Sequence, residues 1–410
     1  MRPIRSIAAA STAVLRHPLI LPLYLPALLL SIAQGLILPV LPLYVEAFDA
    51  PYLWIGLVLA GDGLGTLIGD IPAGIILRRI DQRRGMLAGL LLLGLATTAL
   101  FWARSIPEAF LYRVLAGLGG ALYNVSRHTY IADTITVATR GRSVALLGGT
   151  FRIGRMIGPI ISGALAVASG LRAPFLAFGL VSGLAMLVIL LFNRGTPAQN
   201  VVPAAAHRPP LTLRSMLSMI RTHARMLKAV APGQFLMQTV RAGPGVVIPL
   251  YGAQVLGLDA QQIGWIMSAA SAVDMTLFYP TGIIMDRFGR KWSVVPSALI
   301  MGLGLALIPL TGSFWGLAAA AMVNGFGNGL GSGVMLTLGA DLTPPESRGE
   351  FLGMWSLVGD AGYTSGPLLV GAVADALALQ PAALAIASTG FLAGMIFWIF
   401  VPETLKRSGG

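Results

Sequence analysis

The sequence predicts an all-α integral membrane protein with twelve transmembrane helices in two pseudo-symmetric bundles of six. Three observations support this fold class: the composition, the number of long apolar stretches and an internal repeat. Of the 410 residues, 56% are hydrophobic and 11% are charged, whereas a soluble domain averages about 25% charged residues. So few charges cannot cover a soluble surface. The composition therefore excludes a soluble enzyme and a disordered chain, and the absence of cysteine excludes a disulfide scaffold.

Twelve apolar stretches are long enough to cross a bilayer, because a helix of about 20 residues spans its hydrocarbon core. They do not alternate with period two, as the strands of a membrane β-barrel would. The N-terminus is weakly basic and lacks a small-residue cleavage site, so we expect the first span to be retained. Numbered in chain order, the predicted spans are 18–45, 53–77, 85–103, 108–132, 142–169, 173–193, 229–256, 261–285, 292–311, 314–340, 350–376 and 381–401.

The net charge of +12 mainly reflects the orientation of the chain in the membrane. Of the 28 Lys and Arg residues, 20 lie at the termini and in loops on one side, two lie in loops on the other side, and six lie inside the predicted spans. The positive-inside rule places the first side, with both termini, in the cytoplasm. We therefore expect a multi-pass protein of a bacterial inner membrane that contacts anionic lipid head groups and binds no nucleic acid.

The chain divides into residues 1–195 and 229–410, each predicted to form one bundle, and a cytoplasmic linker at 196–228 with one amphipathic helix. Parallel repeats of this kind place a transporter's substrate site between the halves near the membrane midplane. Spans 3, 6, 9 and 12 contain no ionisable side chain, so we expect them to face lipid while the others line an interior. The halves repeat at a constant offset of 208 residues, which matches Gly56 with Gly264, Pro72 with Pro280, Gly117 with Gly325, Arg140-Gly141 with Arg348-Gly349, and Gly154–Gly163 with Gly362–Gly371.

The loop after span 8 closely resembles the signature loop of the major facilitator superfamily, and the resemblance covers essentially the whole chain. It reads Gly282-Ile-Ile-Met-Asp286-Arg287-Phe-Gly289-Arg290-Lys291. The resemblance implies the major facilitator fold, with these residues as a gating loop that latches one half against the other.

The counterpart of this loop after span 2 departs from the family pattern. Arg78 stands in place of the acid and Asp81 in place of the second glycine. The recurring pairs Asp133…Arg140 and Asp341…Arg348 are expected to be structural partners of the two loops.

Span 5 carries Gly154-x-x-x-Gly158-Pro159-x-x-x-Gly163, which resembles the motif of twelve-span drug–proton antiporters. In that family the motif packs span 5 against a second-half helix and limits proton leak. Small residues at four-residue spacing permit close helix approach, and a proline inside a helix bends it. Pro39-Val-Leu-Pro42-Leu-Tyr44 in span 1, and Arg113 with Gly117 in span 4, are similar to motifs of the same family.

Three acids lie deep inside spans and are candidates to carry a proton: Asp360 first, then Asp62 and Asp274. A carrier must alternate between an environment that disfavours its charge and one beside an arginine. The alternative for each acid is a permanent structural salt bridge, and Asp274 would form one with Arg241. Arg113 is expected to tune the proton carrier, unless it extends its charge to the interface.

Arg152 and Arg155 place two positive charges in the middle of span 5. They are expected to bind an anionic group or to neutralise a proton-loading carboxylate; the alternative is a buried structural ion pair. The repeat matches Arg152 with Asp360, so we expect them on opposite cavity walls. For Arg127 and His128, interfacial snorkelling is an equal alternative to substrate contact. The predicted substrate cavity comprises Gln34, Asn124, Arg127, His128, Arg152, Arg155, Gln238, Arg241, Asn324, Asn328 and Tyr363.

The predicted function is proton-coupled export of small lipophilic compounds by alternating access. The chain carries no Walker phosphate-binding loop and no metal-ligand cluster, so we expect the proton gradient as the energy source, no cofactor and no catalysis. We expect it to act as a monomer whose partners are protons, membrane lipids and a small-molecule substrate. One alternative is a carrier of an organic anion that uses the intramembrane arginines. Another is a transport-dead sensor or scaffold that binds through the linker.

Overall fold

A computed structural model describes residues 20–134, 137–193, 224–343 and 348–405, and within them the chain is helical without any strand. A short π-helical turn at Ile20–Tyr24 precedes the first α-helix. The α-helices of the described residues are α1 (Leu25–Ile37), α2 (Val40–Glu46), α3 (Tyr52–Ile76), α4 (Gln82–Ala99), α5 (Ile106–Thr134), α6 (Val137–Ser169), α7 (Ala173–Phe192), α8 (Ala224–Ala242), α9 (Pro244–Gln254), α10 (Ala260–Thr276), α11 (Phe278–Arg287), α12 (Lys291–Leu307), α13 (Phe314–Leu330), α14 (Val334–Asp341), α15 (Arg348–Ala376) and α16 (Leu379–Phe400).

Seven helical segments of the described residues are long and apolar enough to cross a membrane by themselves, which confirms a multi-pass membrane protein. That the chain has twelve transmembrane spans stays a prediction. The amphipathic helix predicted in the linker, and the N-terminal residues before Ile20, lie outside the described residues. The side chains of Arg140 and Arg348 also lie outside them, so their pairing is untested.

Four of the predicted spans consist of two helices rather than one. Span 1 breaks before Pro39, span 7 breaks at Gly243 and span 8 breaks at Leu277. Span 10 breaks at residues 331–333, where Gly333 has a φ of 73°. Pro244 starts α9 without strain because a proline at the first turn loses no helical hydrogen bond. Hydrophobicity alone does not detect such breaks, since the residues on both sides remain apolar.

The helices of each half pack mainly on one another. In the first half, α5 packs between α3 and α4, and α1 packs against α6 and α7. In the second half, α13 packs between α10 and α12, and α8 packs against α15 and α16. These two sets occupy equivalent positions in the sequence repeat, so the repeat corresponds to equivalent packing.

Two helix pairs make the main contacts between the halves, α6 with α10 and α3 with α15. A Cβ atom at Gly264 would overlap the carbonyl oxygen of Pro159, and a Cβ atom at Gly56 would overlap that of Pro367. The glycines therefore allow backbone to touch backbone, and the two contacts are equivalent under the repeat.

The predicted packing motif of span 5 is divided between two partners. Gly154 and Gly158 face α1, where added Cβ atoms would overlap Ser31 and Gly35. Gly163 faces α10, where an added Cβ atom would lie 2.6 Å from the carbonyl oxygen of Ala260. The expected contact with a second-half helix is thus made by the part of the motif that contains Pro159 and Gly163.

One end of the molecule, here called the sealed end, is closed by hydrogen bonds between the halves. The Asp375 carboxylate at the end of α15 accepts the backbone N–H groups of Tyr52 (2.6 Å) and Leu53 (2.9 Å) at the start of α3. The Tyr52 hydroxyl donates to Oε1 of Gln254 at 2.6 Å. A second-half acid therefore caps a first-half helix, whose N-terminal N–H groups would otherwise lack acceptors.

The other end, here called the open end, lacks comparable closure in the described residues. The α3 residue Ile71 is 67% exposed, and its equivalent Tyr279 on α11 is 78% exposed. Added Cβ atoms at Gly74 and Gly282 would meet nothing within 4 Å. The halves therefore touch closely at the sealed end and diverge toward the open end.

Replacing Gly264 by alanine is expected to lower the stability of the protein by about 1–3 kcal/mol, the usual effect of overpacking a tight contact. The added methyl would push α10 away from Pro159. Thermal unfolding in detergent measures the effect. Gly120→Ala is the matched control, since a Cβ atom there meets nothing within 4 Å; equal melting temperatures for the two variants would contradict the prediction.

Candidate functional site

Two adjoining cavities lie between the halves. The first has a volume of about 340 Å³ and contains ionisable side chains from both halves within largely apolar walls. Its polar and ionisable lining residues are Gln34, Asp62, Thr66, Thr97, Arg113, Arg155, Asp360, Tyr363 and Thr364. Aromatic and aliphatic side chains, among them Phe151, Phe178, Leu41 and Leu59, complete the wall.

Asp62 on α3 faces Arg113 on α5, with 3.6 Å between the carboxylate Oδ2 and the guanidinium Nη2. Glycines bring these helices together, since a Cβ atom at Gly117 would overlap the carbonyl oxygen of Asp62. The Asp62 side chain is 42% exposed, so solvent screens this pair. The arrangement agrees with the prediction that Arg113 acts on an acid of the cavity.

Asp360 lines the same cavity, but no basic side chain of the described residues lies within 4 Å of its carboxylate. In this conformation Asp360 therefore lies apart from any arginine, which is one of the two environments between which a proton carrier must alternate. Arg152, its equivalent under the repeat, reaches a different acid because α6 packs directly against α10 and not against α15. Asp360 is left as an acid that faces the cavity without a counter-charge.

The second cavity, of about 350 Å³, continues from the first and shares Arg155 and Tyr363 with it. Most of the predicted substrate-binding residues lie here. Its polar and ionisable lining residues are Arg152, Arg155, Gln238, Arg241, Ser271, Asp274, Asn324, Asn328, Ser332 and Tyr363.

Arg152 of α6 forms an ion pair with Asp274 of α10 and so links the two halves within the membrane. Its other Nη atom donates to Oγ of Ser332 at 2.7 Å, and its guanidinium lies 5.0 Å from the centroid of the Phe278 ring. Asn328 donates to the second Asp274 oxygen at 2.9 Å. The carboxylate and the guanidinium thus each have a further partner, as a buried pair requires.

The proposed alternative pairing of Asp274 with Arg241 is wrong. Arg241 instead donates to the carbonyl oxygen of Gly331 at 2.8 Å and to Oε1 of Gln238 at 3.2 Å. Gly331 follows the last residue of α13, where unpaired carbonyl groups favour a nearby positive charge. Asp274 turns toward the other half because α10 presents that face to α6.

Three predicted cavity residues of α5 do not line either cavity. Arg127 is buried, with its guanidinium 5.4 Å from the centroid of Tyr123 and 5.7 Å from that of Phe151. His128 is exposed and Asn124 is half-buried. They lie about three to four turns beyond Arg113, closer to the open end. Asn324 lines the second cavity, but it also donates to the carbonyl oxygen of Met301 at 3.0 Å.

Sequence reasoning missed Thr66, Thr364, Ser332 and Phe278. Thr66 lies one turn after Asp62 and is equivalent to Asp274 under the repeat. The spacing from Asp62 and the equivalence to Asp274 are both visible in the sequence. Threonine is common in membrane helices, however, and a hydroxyl group by itself does not distinguish a cavity residue from a packing residue. Ser332 and Phe278 lie at the helix breaks of spans 10 and 8, which hydrophobicity does not reveal.

The predicted gating loop folds around Gly289, whose φ of 114° favours glycine. Arg290 donates from Nε to Oδ2 of Asp341 at 2.8 Å. Thr404 donates to the same oxygen at 2.8 Å. The expectation that Asp341 is a partner of this loop agrees with these contacts. Asp286 and Arg287 are exposed and form no ion pair in the part of the chain described.

The divergent first-half loop keeps the same contact with different chemistry. Nε2 of Gln82, equivalent to Arg290, donates to Oδ2 of Asp133 at 2.8 Å. Asp81 caps α4 by accepting the backbone N–H of Arg84 at 2.6 Å. The substitution of an amide for a guanidinium therefore preserves the hydrogen bond and removes the charge.

Glu403 binds the second-half loop from the end of α16. Its carboxylate accepts the backbone N–H groups of Arg290 (2.9 Å) and Lys291 (3.0 Å). Burial acts to raise the pKa of Glu403, but hydrogen bonds from the backbone of Leu405, Arg290, Lys291 and Thr404 together hold this pKa below its ordinary value. Glu403 thus ties the loop to α16 in its ionised form.

Comparison with known proteins identifies the class to which this fold and site belong. The sequence profile of the Major Facilitator Superfamily matches residues 23–260 and 230–409. The chain belongs to this superfamily of membrane transporters.

The relatives include drug-resistance proteins. The chain is 25% identical to the tetracycline resistance protein, class C, of Escherichia coli, over 84% of this chain and 86% of that protein. It is also 25% identical to multidrug resistance protein MdtG of Proteus mirabilis, over 82% and 84%. A crystal structure of a D-xylose–proton symporter has the same fold, with a TM-score of 0.71 and 18% identity over 94% and 98% of the two chains. These similarities support the likeness to drug–proton antiporters.

Replacing Asp274 by asparagine is expected to destabilise the protein by about 3–5 kcal/mol, because Arg152 loses its counter-charge in a partly buried position. The double variant Arg152→Gln/Asp274→Asn is expected to recover much of this loss, since no unpaired charge remains. Thermal unfolding of the two single variants and the double variant in detergent tests this. Additive losses would show that the two side chains do not interact.

The stability contribution of Glu403 is expected to depend on pH. Its pKa in the folded protein lies below the ordinary value of 4.5, so the ionised form stabilises the fold above that value, and this stabilisation is lost as the pH falls through the folded pKa. The melting temperature of Glu403→Gln should therefore be lower than that of the wild type at neutral pH and converge with it in acid. Asp286→Asn, an exposed acid of the same loop, is the control and should show no such convergence.

Proposed function

We propose that this chain is a proton-coupled transporter that exports small lipophilic compounds across a bacterial inner membrane by alternating access. In this proposal twelve spans form two bundles, residues 1–195 and 229–410, with both termini in the cytoplasm. The protein acts as a monomer, uses the proton gradient and needs no cofactor.

The position of Asp360 is the single observation that carries the coupling step. Its carboxylate lines a cavity between the halves and has no basic partner within 4 Å among the described residues. A carboxylate without a counter-charge takes up a proton without breaking an ion pair, whereas one held in an ion pair must first lose its partner. In this proposal Arg113, which lines the same cavity, supplies the second environment beside an arginine that a proton carrier requires.

The cavity walls support a small organic substrate. The two volumes, about 340 and 350 Å³, fall at the lower end of the range for small-molecule sites. Their walls combine aliphatic and aromatic side chains with polar and ionisable groups. Export is suggested by the tetracycline and multidrug resistance relatives.

The close backbone contacts at the sealed end support alternating access. Pro159 with Gly264, and Pro367 with Gly56, form two equivalent contacts about which the halves can rock. The Asp375 cap on α3 would break when that end opens, and the exposed gating loop would close the other end. A proton on Asp360 and a substrate in the cavity would each shift the balance between the two orientations.

Asp360→Asn is expected to abolish transport driven by a proton gradient while leaving the protein folded. Proteoliposomes that contain a fluorescent lipophilic compound, with an imposed pH gradient, measure this. Asp49→Asn is the control, since Asp49 lies in a loop with a φ of 55° that asparagine also adopts. Gradient-driven transport that persists in Asp360→Asn would contradict the assignment of the proton site, and wild-type transport unaffected by the gradient would contradict proton coupling altogether.

A further inference from the structure

The charges that line the two cavities do not balance. Asp62 pairs with Arg113, and Asp274 pairs with Arg152. Among the described residues, Arg155 and Arg241 line the second cavity without an acid within 4 Å of either guanidinium. Three arginines therefore share this cavity with a single carboxylate.

Arg241 is held by neutral groups only. It donates to the carbonyl oxygen of Gly331 and to Gln238, and its Nε atom is buried without an acceptor. Arg152 and Arg155 line the same cavity, and Asp274 is the one carboxylate among its described lining residues. A positive charge inside a membrane protein is costly unless an opposite charge or water compensates it. The surroundings of Arg241 thus favour the entry of a negative charge.

Arg155 is exposed at the junction of the two cavities. Its side chain makes no hydrogen bond or ion pair within the described part of the chain. A guanidinium presents five N–H donors in a planar fork that matches a carboxylate. Arg155 therefore offers an unused donor set directly to the cavity.

Apolar side chains form a part of the remaining wall of the second cavity. Leu38, Ile248, Met267, Ala270 and Met301 lie around the arginines. An inorganic ion would use the guanidinium groups but leave this surface in contact with water. An organic acid would use both, because its carboxylate meets the arginines and its hydrocarbon part covers the apolar wall.

We propose that the second cavity binds the carboxylate of an organic acid through Arg155 and Arg241. The proposal rests on the transport function above and specifies its substrate class: a small compound with an apolar body and an anionic group. Arg152 is not part of this site, because Asp274 already balances its charge and Ser332 binds its other Nη atom.

Calorimetric titration of the purified protein in detergent tests this with a matched pair of ligands, 3-phenylpropanoate and 3-phenylpropylamine. We expect the acid to bind more tightly than the amine. Arg155→Gln should weaken acid binding by about tenfold or more, because one charged hydrogen-bonding partner is lost, and should not weaken amine binding. Arg155→Lys, which keeps the charge but not the fork, should fall between the two.

Arg104→Gln is the control, since Arg104 is exposed in a loop and lines neither cavity, so it should leave both affinities unchanged. Size-exclusion chromatography and thermal unfolding verify that each variant is folded. Failure of the acid to bind, equal affinities for acid and amine, or undiminished acid binding by folded Arg155→Gln would overturn the proposal.

The same preparation distinguishes this proposal from the proposed transport function. Proton-driven movement of a lipophilic cation in proteoliposomes, together with no binding of the acid, would leave the transport function standing and remove the anion site. Binding of the acid that depends on Arg155, without any effect of a proton gradient on its movement, would establish the site and remove proton coupling.

Discussion

A charge within the membrane must have a counter-charge, a set of hydrogen bonds or water, and this constraint organises the interior of the protein. It explains why Arg152 and Asp274 meet across the interface between the halves, with Ser332 and Asn328 as additional partners. It also explains why Arg241 lies against the carbonyl end of α13. Where the constraint is not met by the protein itself, at Arg155 and Asp360, the side chains face a cavity. We infer a functional role for Arg155 and Asp360 because a contribution to stability does not explain why these charges lack a partner.

Backbone packing decides which charges can meet. Glycines on α6 and α10, and on α3 and α15, bring these helices together until a side chain would no longer fit between them. The close contact of α6 with α10 sets the distance at which Arg152 reaches Asp274. In the same way, Gly117 brings α5 against α3 and places Arg113 beside Asp62. The small residues thus have two effects: they make van der Waals contacts themselves, and they set the geometry of the ion pairs.

The internal repeat supplies a symmetric framework that carries asymmetric chemistry. Gln82 and Arg290 occupy equivalent positions and bind equivalent aspartates, but only Arg290 does so with a charge. Asp375 caps a helix of the other half, whereas its equivalent, Val167, cannot. Arg152 has Asp360 as its equivalent, and Arg155 has Tyr363. A duplicated scaffold keeps the two halves able to rock against each other, while the divergence of single side chains makes their interface directional.

The class of protein, the internal repeat and most of the polar cavity residues follow from the sequence alone. Composition and apolar stretches required a multi-pass helical membrane protein, and the loop around Gly289 identified the superfamily. Residues such as Gln34, Gln238, Asn328 and Tyr363 were found because polar side chains on interior spans have few other places to lie. The tertiary structure was needed to identify the partner of each charge and the breaks in four spans. It was also needed to show that Asn124, Arg127 and His128 lie outside the cavities. Periodicity and hydrophobicity are local properties of the chain, whereas an ion pair depends on the rotation and separation of two helices far apart in sequence. The rotation and separation of the helices follow from the close packing of glycine against backbone between the halves. The sequence indicates where these glycines lie but not the distances that result.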